Sequence, residues 1–229
     1  MRSLKRILRS HLLKVLRVTP AAVDDNVGSE LVDGKGHREY IGGLWEGLGS
    51  LQFRFMIEQG LQPQHVLIDV ACGSLRGGVR FIPYLDSGNY LGLDVKQELI
   101  DAGIQLELGS KLYEIKRPEF VVSESFEFDR FSKQPDFVLA QSLFTQLIER
   151  DILLCLRNLR DRAKPKTKFY ATFHESEQPV ENPAQSHPHK SFVYTRRKMI
   201  ELGEASGWKT YYIGGWNHPR GQVMLEYSV

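Results

Sequence analysis

The residues with the clearest chemical signature lie in VLIDVACGSLRGG, residues 66–78. A short apolar run ends near an acid, Asp69, and a loop with three glycines follows, at Gly73, Gly77 and Gly78. Glycine lets a backbone adopt left-handed conformations and come close to a bound ligand. In α/β proteins such a loop, placed after the first strand, binds nucleotide-like ligands. The stretch therefore predicts a nucleotide-like binding site, and its side chains indicate which ligand fits.

The known phosphate-binding signatures fit this loop poorly. A P-loop requires Gly, four residues, Gly-Lys and then Ser or Thr, whereas Gly78 is followed by Val79 and no lysine is present. The dinucleotide fingerprint G-x-G-x-x-G requires glycine at positions where this chain has Ala71 and Arg76. The loop therefore lacks the groups that neutralise or closely surround a phosphate.

Two features keep a short-chain dehydrogenase as an alternative interpretation. Asp94 lies 21 residues after Gly73, near the spacing of the ribose-binding acid in a dinucleotide fold. Tyr194 and Lys198 are four residues apart, which is the spacing of the catalytic pair in short-chain dehydrogenases. This pair is a weak signal, because Tyr and Lys recur at that spacing by chance and the glycine fingerprint is absent.

Alternating strands and helices are expected to position these residues. The apolar runs predict strands at 65–70, 89–95, 119–123, 136–141, 168–175, 208–215 and 222–228. Helical spacing predicts helices at 78–85, 97–108, 145–163 and 196–207, with Thr145 and Thr195 as N-caps. The connection between the last two strands is too short for a crossover helix, so they should form an antiparallel hairpin. The alternation predicts a mostly parallel sheet whose ligands bind beyond the carboxyl ends of the strands.

Five segments at the predicted strands and their carboxyl ends follow one another in an order that is typical of one protein family. VLIDVACGSLRGG fits the pattern apolar-apolar-Asp-x-Gly-x-Gly-x-Gly at Asp69 and Gly73, with Ala71 and Leu75 in place of the other two glycines. It is followed by YLGLD, which ends at Asp94, and then by VVSESF, PDFVLAQSLFTQL and KFYATFHE. This series resembles motif I and the later strand motifs of class I S-adenosylmethionine (SAM)-dependent methyltransferases. The resemblance covers residues 65–229.

The resemblance implies a Rossmann-like α/β fold and SAM as the cofactor. The implied fold is a doubly wound, seven-stranded sheet of order 3-2-1-4-5-7-6, with strand 7 antiparallel and additional N-terminal helices. SAM carries no phosphate, so Leu75 and Arg76 are compatible with it. The implied cofactor-binding residues are Asp69, Ala71, Cys72, Gly73, Ser74, Asp94, Val95, Glu124, Ser125, Phe126, Gln141 and Ser142.

Several of these residues have a structural alternative. Asp94 should accept hydrogen bonds from both ribose hydroxyls, but a strand-end acid can also cap the next helix. Asp69 fits a role in holding the amides of the loop, and Ser74 fits a helix cap. Arg76 is compatible with binding the SAM carboxylate or an acidic substrate, and equally with a surface position.

Methyl transfer to an O–H group requires a base near the carboxyl ends of the strands. The predicted catalytic residues are His174, Glu175, His189 and Tyr194, each of which has packing or surface exposure as its alternative. His187 and His218 are further histidine candidates, and residues 175–191 form a polar, proline-bearing loop suited to a lid. A metal site is not expected, because Ala-Gln-Ser stands where metal-dependent catechol-type methyltransferases have acids after strand four.

Composition narrows the class of protein. The 229 residues are 41% hydrophobic and 25% charged, and their net charge is +2, so a nucleic-acid partner is not expected. The two cysteines, Cys72 and Cys155, form no disulfide or zinc spacing, which favours a cytoplasmic location. No apolar run approaches the roughly 18 residues that span a membrane.

Charge is concentrated at the N-terminus. Residues 1–23 contain six Lys or Arg and no acid, with apolar residues near helical spacing. They predict a basic amphipathic helix that either contacts an anionic membrane surface through residues 1–18 or packs on protein. The predicted organisation is this helix at 1–23, an N-terminal helical cover at 24–64 and a SAM-dependent methyltransferase domain at 65–229.

The function predicted from these features is SAM-dependent methylation of an oxygen on a small-molecule, sugar or lipid-linked acceptor. A SAM-fold binding or scaffold protein without catalysis is the alternative from another class, because two motif glycines are replaced. The dehydrogenase is the third hypothesis. The acceptor and the oligomeric state stay open at this point.

Overall fold

A computed structural model describes residues 36–229, whose contacts divide them into two units. The first unit consists of residues 36–64, 72–90 and 96–118. The second consists of residues 65–71, 91–95 and 119–229. The predicted helix at 1–23, its membrane contact and the start of the predicted cover at 24–64 lie outside the described residues.

A mixed sheet forms the centre of the second unit. Within residues 36–229 its strands are β1 Leu67–Val70, β2 Tyr90–Asp94, β3 Glu119–Val122, β4 Phe137–Ala140, β5 Lys168–Ser176, β6 Val193–Thr195, β7 Lys209–Gly215 and β8 Val223–Ser228. The order is β3-β2-β1-β4-β5-β8-β7, and β6 pairs with β5. The pairs β1–β4, β2–β3 and β4–β5 are parallel, whereas β8 runs antiparallel to both β5 and β7. The predicted doubly wound topology and the terminal hairpin are confirmed.

The sheet has one strand more than the predicted seven. The additional strand is β6, which runs parallel to the end of β5, with Glu175 opposite Tyr194. β4 ends at Ala140, opposite Ala171, so the last residues of the longer β5 extend beyond it. β6 pairs with this extension, and thereby satisfies backbone groups that β4 does not reach.

The helices lie near their predicted positions. They are α1 His37–Tyr40, α2 Trp45–Glu58, α3 Gly78–Tyr84, α4 Gln97–Ala102, α5 Ser110–Lys116, α6 Glu149–Arg162 and α7 Arg196–Glu204. The predicted helix at 97–108 is α4 followed by a π-helical segment, Gly103–Leu108. α5 was not predicted. It buries no residue, so it has no buried apolar face from which a helix is predicted.

One predicted N-cap is confirmed and the other is wrong. The Thr195 hydroxyl accepts a hydrogen bond from the Lys198 amide at 3.1 Å, which caps α7. α6 instead begins at Glu149, four residues after Thr145. The Thr145 hydroxyl donates to the Ser142 carbonyl at 2.7 Å, so this side chain stabilises the turn after β4 and not the helix.

Aromatic packing and an ion pair hold the first unit together. Phe53 of α2 packs against Phe81 and Tyr84 of α3, with ring centroids 5.7 and 5.4 Å apart. Arg38 donates two hydrogen bonds to the buried Glu107 carboxylate, at 2.6 and 2.8 Å. The described part of the predicted helical cover therefore packs with residues that follow β1 and β2 in the chain. The boundary at residue 64 between this cover and the methyltransferase domain stays a prediction.

Burial on both faces of the sheet explains why the strands of the second unit are continuous apolar runs in the sequence. β1 and β4 contribute fully buried side chains on both faces, among them Ile68 and Val138. Ile152 and Leu156 of α6 and Met199 of α7 pack into the same cluster. Strands buried on both faces leave only their ends for polar chemistry, and the candidate residues are at those ends.

Candidate functional site

The loop after β1 has a left-handed backbone at all three glycine positions of the motif. The φ angles are +59° at Ala71, +54° at Gly73 and +68° at Leu75. Non-glycine residues seldom adopt this region, because their Cβ comes too close to the backbone. The two replacements thus change the side chains of the motif and retain its backbone conformation.

Gly73 is required by its surroundings as well as by its φ angle. A Cβ atom at this position would lie 3.0 Å from Cγ2 of Ile41. The following residue, Ser74, is fully buried, and its hydroxyl has no hydrogen-bond partner among the described residues. A buried hydroxyl without a partner is costly, so a polar ligand group is the natural complement to Ser74.

Leu75 fits because two glycines make space for it. Its side chain is fully buried. A Cβ on Gly103 would lie 2.7 Å from Leu75 Cγ, and a Cβ on Gly78 would lie 2.9 Å from Leu75 Cβ. The third motif glycine is therefore replaced by a leucine that packs on glycines elsewhere in the first unit.

Arg76 is a structural residue and not a surface residue. It is 7% exposed. Its Nη1 donates to the carbonyls of Ile41 and Gly43, at 3.2 and 3.0 Å. Arg80, four residues after Arg76, forms an ion pair with Glu46 of α2. Arg76 thus attaches the segment before α2 to the loop after β1, and Arg80 links α3 to α2. The burial of Arg76 corrects its surface alternative.

Ala71 offers a direct test of the left-handed backbone. We expect Ala71→Gly to raise the free energy of unfolding by about 1 kcal/mol, because glycine adopts this region without the strain that alanine carries. The melting temperature should rise by roughly 2–4 °C for a chain of this size. Ala184→Gly is the control, since Ala184 is also exposed but lacks a positive φ. A fall in stability for Ala71→Gly would contradict the expectation.

Two acids lie at the carboxyl ends of neighbouring strands. Asp69 is the last residue but one of β1, Asp94 is the last residue of β2, and each is 6% exposed. The Asp94 carbonyl accepts a hydrogen bond from the Ser123 amide at 3.0 Å. Val95, directly after Asp94, is 54% exposed. Buried carboxylates at strand ends require polar partners, which is consistent with ligand contact or with a structural role.

The turn after β3 is organised by the side chains of Ser123 and Asn158. The Ser123 hydroxyl accepts hydrogen bonds from the amides of Ser125 and Glu127, both at 3.2 Å. Asn158 of α6 donates to the Ser125 carbonyl at 2.9 Å. Phe126 is buried with a φ of +57°, whereas Glu124 and Ser125 are exposed. Glu124, one of the implied cofactor-binding residues, is accordingly available to a ligand.

A buried polar network surrounds the turn after β4. Gln141 is buried, and its Nε2 lies 3.1 Å from Nε2 of His218. The Ser142 amide donates to the Thr172 hydroxyl at 2.7 Å. Gln222, at the start of β8, bonds to both Ser142 and Thr172. Thr172 and Gln222 are not among the predicted site residues, although a polar residue inside a buried strand, such as Thr172 in β5, indicates a specific partner.

His174 has the properties of a base at neutral pH. It lies in β5 opposite Val193 and is partly buried. Burial lowers the pKa of the imidazole, and the charge of Arg220 lowers it further. A lowered pKa keeps the ring neutral, with a lone pair able to accept a proton.

Glu175 is committed to neighbouring side chains. Its carboxylate accepts a hydrogen bond from Nε of Arg196 at 3.0 Å and another from the Tyr212 hydroxyl. The Arg196 guanidinium also lies over the Tyr212 ring, 3.7 Å from its centroid. The Arg196 guanidinium balances the charge of the Glu175 carboxylate, which indicates a structural ion pair at the end of β5.

Tyr194 and His189 differ in environment. Tyr194 is buried in β6, where its hydroxyl donates to the Leu147 carbonyl at 2.7 Å. Burial raises the pKa of this phenol well above its usual value. His189 is exposed in the loop after β5, next to His187. Tyr194 thus has a clear structural role, and catalytic roles for both residues stay predictions.

The dehydrogenase interpretation conflicts with the position of the Tyr–Lys pair. Tyr194 lies in a strand, whereas Lys198 lies in α7, so they do not share a helical face. The Lys198 ammonium is 3.2 Å from the Glu149 carboxylate. A catalytic pair four residues apart requires both residues on one helix face.

The predicted lid loop is attached to the start of α6. The Ser186 hydroxyl donates to Asp151 at 2.6 Å and accepts from the Ile148 amide at 3.0 Å. The His187 amide donates to the Gln146 carbonyl at 2.9 Å. Earlier in the same loop, Asn182 donates to the Val193 carbonyl and accepts from the Val193 amide, both at 2.9 Å. The loop is therefore held at two places, and its role as a lid stays a prediction.

Within the part of the chain that the structure describes, neither a metal-binding cluster nor a membrane-spanning helix is present. Residues 36–229 contain no group of three or more His, Cys, Asp or Glu arranged to hold a metal ion. In the same residues, no helix combines the length and apolar character needed to cross a bilayer.

Solved structures that align with this chain include several methyltransferases. The glycopeptide N-methyltransferase MtfA, complexed with S-adenosyl-L-homocysteine (SAH), aligns with a TM-score of 0.61 at 14% identity, over 79% of this chain and 90% of that one. Magnesium protoporphyrin IX methyltransferase from Synechocystis PCC 6803, with bound SAH, gives 0.57 at 12% identity, over 89% and 95%. DesVI of Streptomyces venezuelae gives 0.59 at 12%, over 91% and 99%. No protein-family model matches the sequence.

The chain has the class I SAM-dependent methyltransferase fold. In this methyltransferase fold β8 takes the place of the predicted antiparallel strand 7, and β7 that of strand 6. The five motifs recognised in the sequence thus lie on β1 to β5 in chain order, and these strands take the positions in the sheet that the resemblance implies.

Proposed function

We propose that the protein is a SAM-dependent methyltransferase. The observation that carries the proposal is the loop after β1, which has left-handed backbone at Ala71, Gly73 and Leu75 although only one of them is glycine. Strain of this kind persists where surrounding structure holds it, and it concentrates at ligand sites. The methyltransferase fold and the ligands of its neighbours support SAM as the molecule bound there.

The residues present fit SAM. The buried Ser74 hydroxyl, which has no partner among residues 36–229, suits the polar amino-acid end of the cofactor. Asp94 at the end of β2 suits the vicinal ribose hydroxyls, since one carboxylate accepts two hydrogen bonds. Glu124, exposed in the turn after β3, suits the adenine. Neither a lysine nor a bare glycine nest for a phosphate is present in the loop.

When bound, SAM supplies an electrophilic methyl group on a sulfonium. The protein must orient an acceptor in line with that bond and take up the proton of an acceptor hydroxyl. We assign proton uptake to His174, because its lowered pKa leaves the imidazole neutral at pH 7. Glu175 is the weaker candidate, since Arg196 and Tyr212 already occupy its carboxylate.

The proposed acceptor is an oxygen of a small molecule, a sugar or a lipid-linked compound. Neighbours with this fold are named for a glycopeptide and for magnesium protoporphyrin IX, so related folds serve chemically diverse acceptors. A cytoplasmic location is part of the proposal, because the two cysteines of the chain, both buried, are free thiols.

Isothermal titration with SAM and with NADPH tests this proposal against its alternatives. We expect SAM to bind with a dissociation constant in the micromolar range or below, and NADPH not to bind. Binding of NADPH alone would favour the dehydrogenase. Binding of SAM without methyl transfer to any member of a broad acceptor panel, measured with [methyl-³H]SAM, would favour a scaffold protein.

A further inference from the structure

The turn after β4 contains a strained residue at a position where ligands bind in this fold. Ser142 has a φ of +64° although it is not glycine. β1 and β4 are neighbours at the centre of the sheet, and ligands of open α/β sheets bind beyond the carboxyl ends of such strands. A strained turn in that position persists only if other residues hold it.

Two buried side chains hold Ser142. Its amide donates to the Thr172 hydroxyl at 2.7 Å, and its hydroxyl donates to Gln222 Oε1 at 3.1 Å. Gln222 Nε2 donates back to the Ser142 hydroxyl at 2.9 Å. The Thr172 hydroxyl itself donates to Gln222 Oε1 at 2.7 Å. The backbone and the side chain of Ser142 are therefore fixed by the same pair of residues.

Thr172 and Gln222 are 0% and 4% exposed. Their polar atoms already form hydrogen bonds with Ser142 and with each other, so we assign both side chains to holding this turn and not to contact with a ligand. Gln141 belongs to the same network, since its Nε2 is 3.5 Å from Gln222 Oε1. We propose that Thr172 and Gln222 are positioning residues that hold Gln141 and Ser142 in the geometry needed to bind SAM. This inference rests on the proposed function.

Thr172→Val removes the hydroxyl with little change in volume, and Gln222→Met does the same for the amide. We expect each to weaken SAM binding about tenfold, because a buried hydrogen-bond partner is lost from the strained turn. Thr172→Ser keeps the hydroxyl and should bind SAM within about twofold of the wild type. Binding is measured by isothermal titration well below the melting temperature of each variant.

Thr167→Val is the matched control. Thr167 is also buried, but it lies at the opposite end of β5, where its hydroxyl donates to the Pro135 carbonyl at 2.6 Å. It should lower the melting temperature while leaving SAM affinity unchanged. The inference is overturned if Thr172→Val and Gln222→Met bind like the wild type, or if Thr167→Val weakens binding as much as they do. If the wild type itself binds no SAM, the proposed function fails with it, and the two failures are thus distinguishable.

Discussion

Asp94→Ala should weaken SAM binding by about 100-fold or more. In the proposed site the Asp94 carboxylate accepts hydrogen bonds from two ribose hydroxyls, and each charge-assisted bond contributes roughly 1.5–3 kcal/mol. The loss of both corresponds to a change of at least two orders of magnitude in the dissociation constant. Asp94→Asn keeps the shape and one acceptor oxygen, so it should fall between the wild type and alanine. Isothermal titration measures all three proteins.

Asp136→Ala provides the control for this prediction. Asp136 precedes β4 at the amino end of the sheet, where it accepts a hydrogen bond from the Val66 amide at 2.9 Å and forms an ion pair with Lys164. Its replacement should lower stability and leave SAM affinity unchanged. If Asp94→Ala binds SAM as the wild type does, Asp94 is a structural acid and the ribose assignment is wrong.

The positions of most strands along the chain could be predicted because they depend on local patterns, whereas their order in the sheet was implied by the family resemblance. Short apolar runs predicted the first and last residues of β1, β2 and β4 to within two residues. The short β6 was missed because its pairing depends on the length by which β5 extends beyond β4, which no local pattern contains. α5 was missed because it buries no residue.

The side-chain contacts of the site could be predicted only in part. Asp94 and the turns after β3 and β4 follow from motif order. The partners of Ser142 do not, since Thr172 and Gln222 are 30 and 80 residues away in the chain. Long-range hydrogen bonds leave only a weak trace in sequence, here a lone hydroxyl inside an apolar strand.

The replacement of two motif glycines is the sequence feature that favours a scaffold protein without catalysis. The structure instead shows two different solutions to one backbone requirement. Ala71 is exposed and keeps the left-handed conformation with a small side chain. Leu75 keeps it with a fully buried side chain, so its strain is offset by packing. The two positions should therefore respond to glycine with opposite sign.

Leu75→Gly should lower the free energy of unfolding by about 2–4 kcal/mol, although it restores the motif. Loss of a buried leucine costs about 2–5 kcal/mol, and the relief of left-handed strain returns about 1–2 kcal/mol. Added backbone entropy in the unfolded chain costs roughly 0.5–1 kcal/mol more. Denaturant unfolding measures the change. An increase in stability, as expected for Ala71→Gly, would show that Leu75 contributes no packing.

A double-mutant cycle with Gly103 tests whether Leu75 occupies the space that this glycine leaves. Gly103→Ala places a Cβ 2.7 Å from Leu75 Cγ and 2.7 Å from the Ser74 carbonyl oxygen, and overpacking of this kind costs about 1–3 kcal/mol. In a Leu75→Ala background the first contact is gone, so the cost of Gly103→Ala should fall by at least about 0.5 kcal/mol. Part of the cost should remain, because the Ser74 backbone cannot move away as a side chain can. Strictly additive costs would mean that Leu75 and Gly103 do not share this space, and that other contacts hold Leu75 in its left-handed conformation.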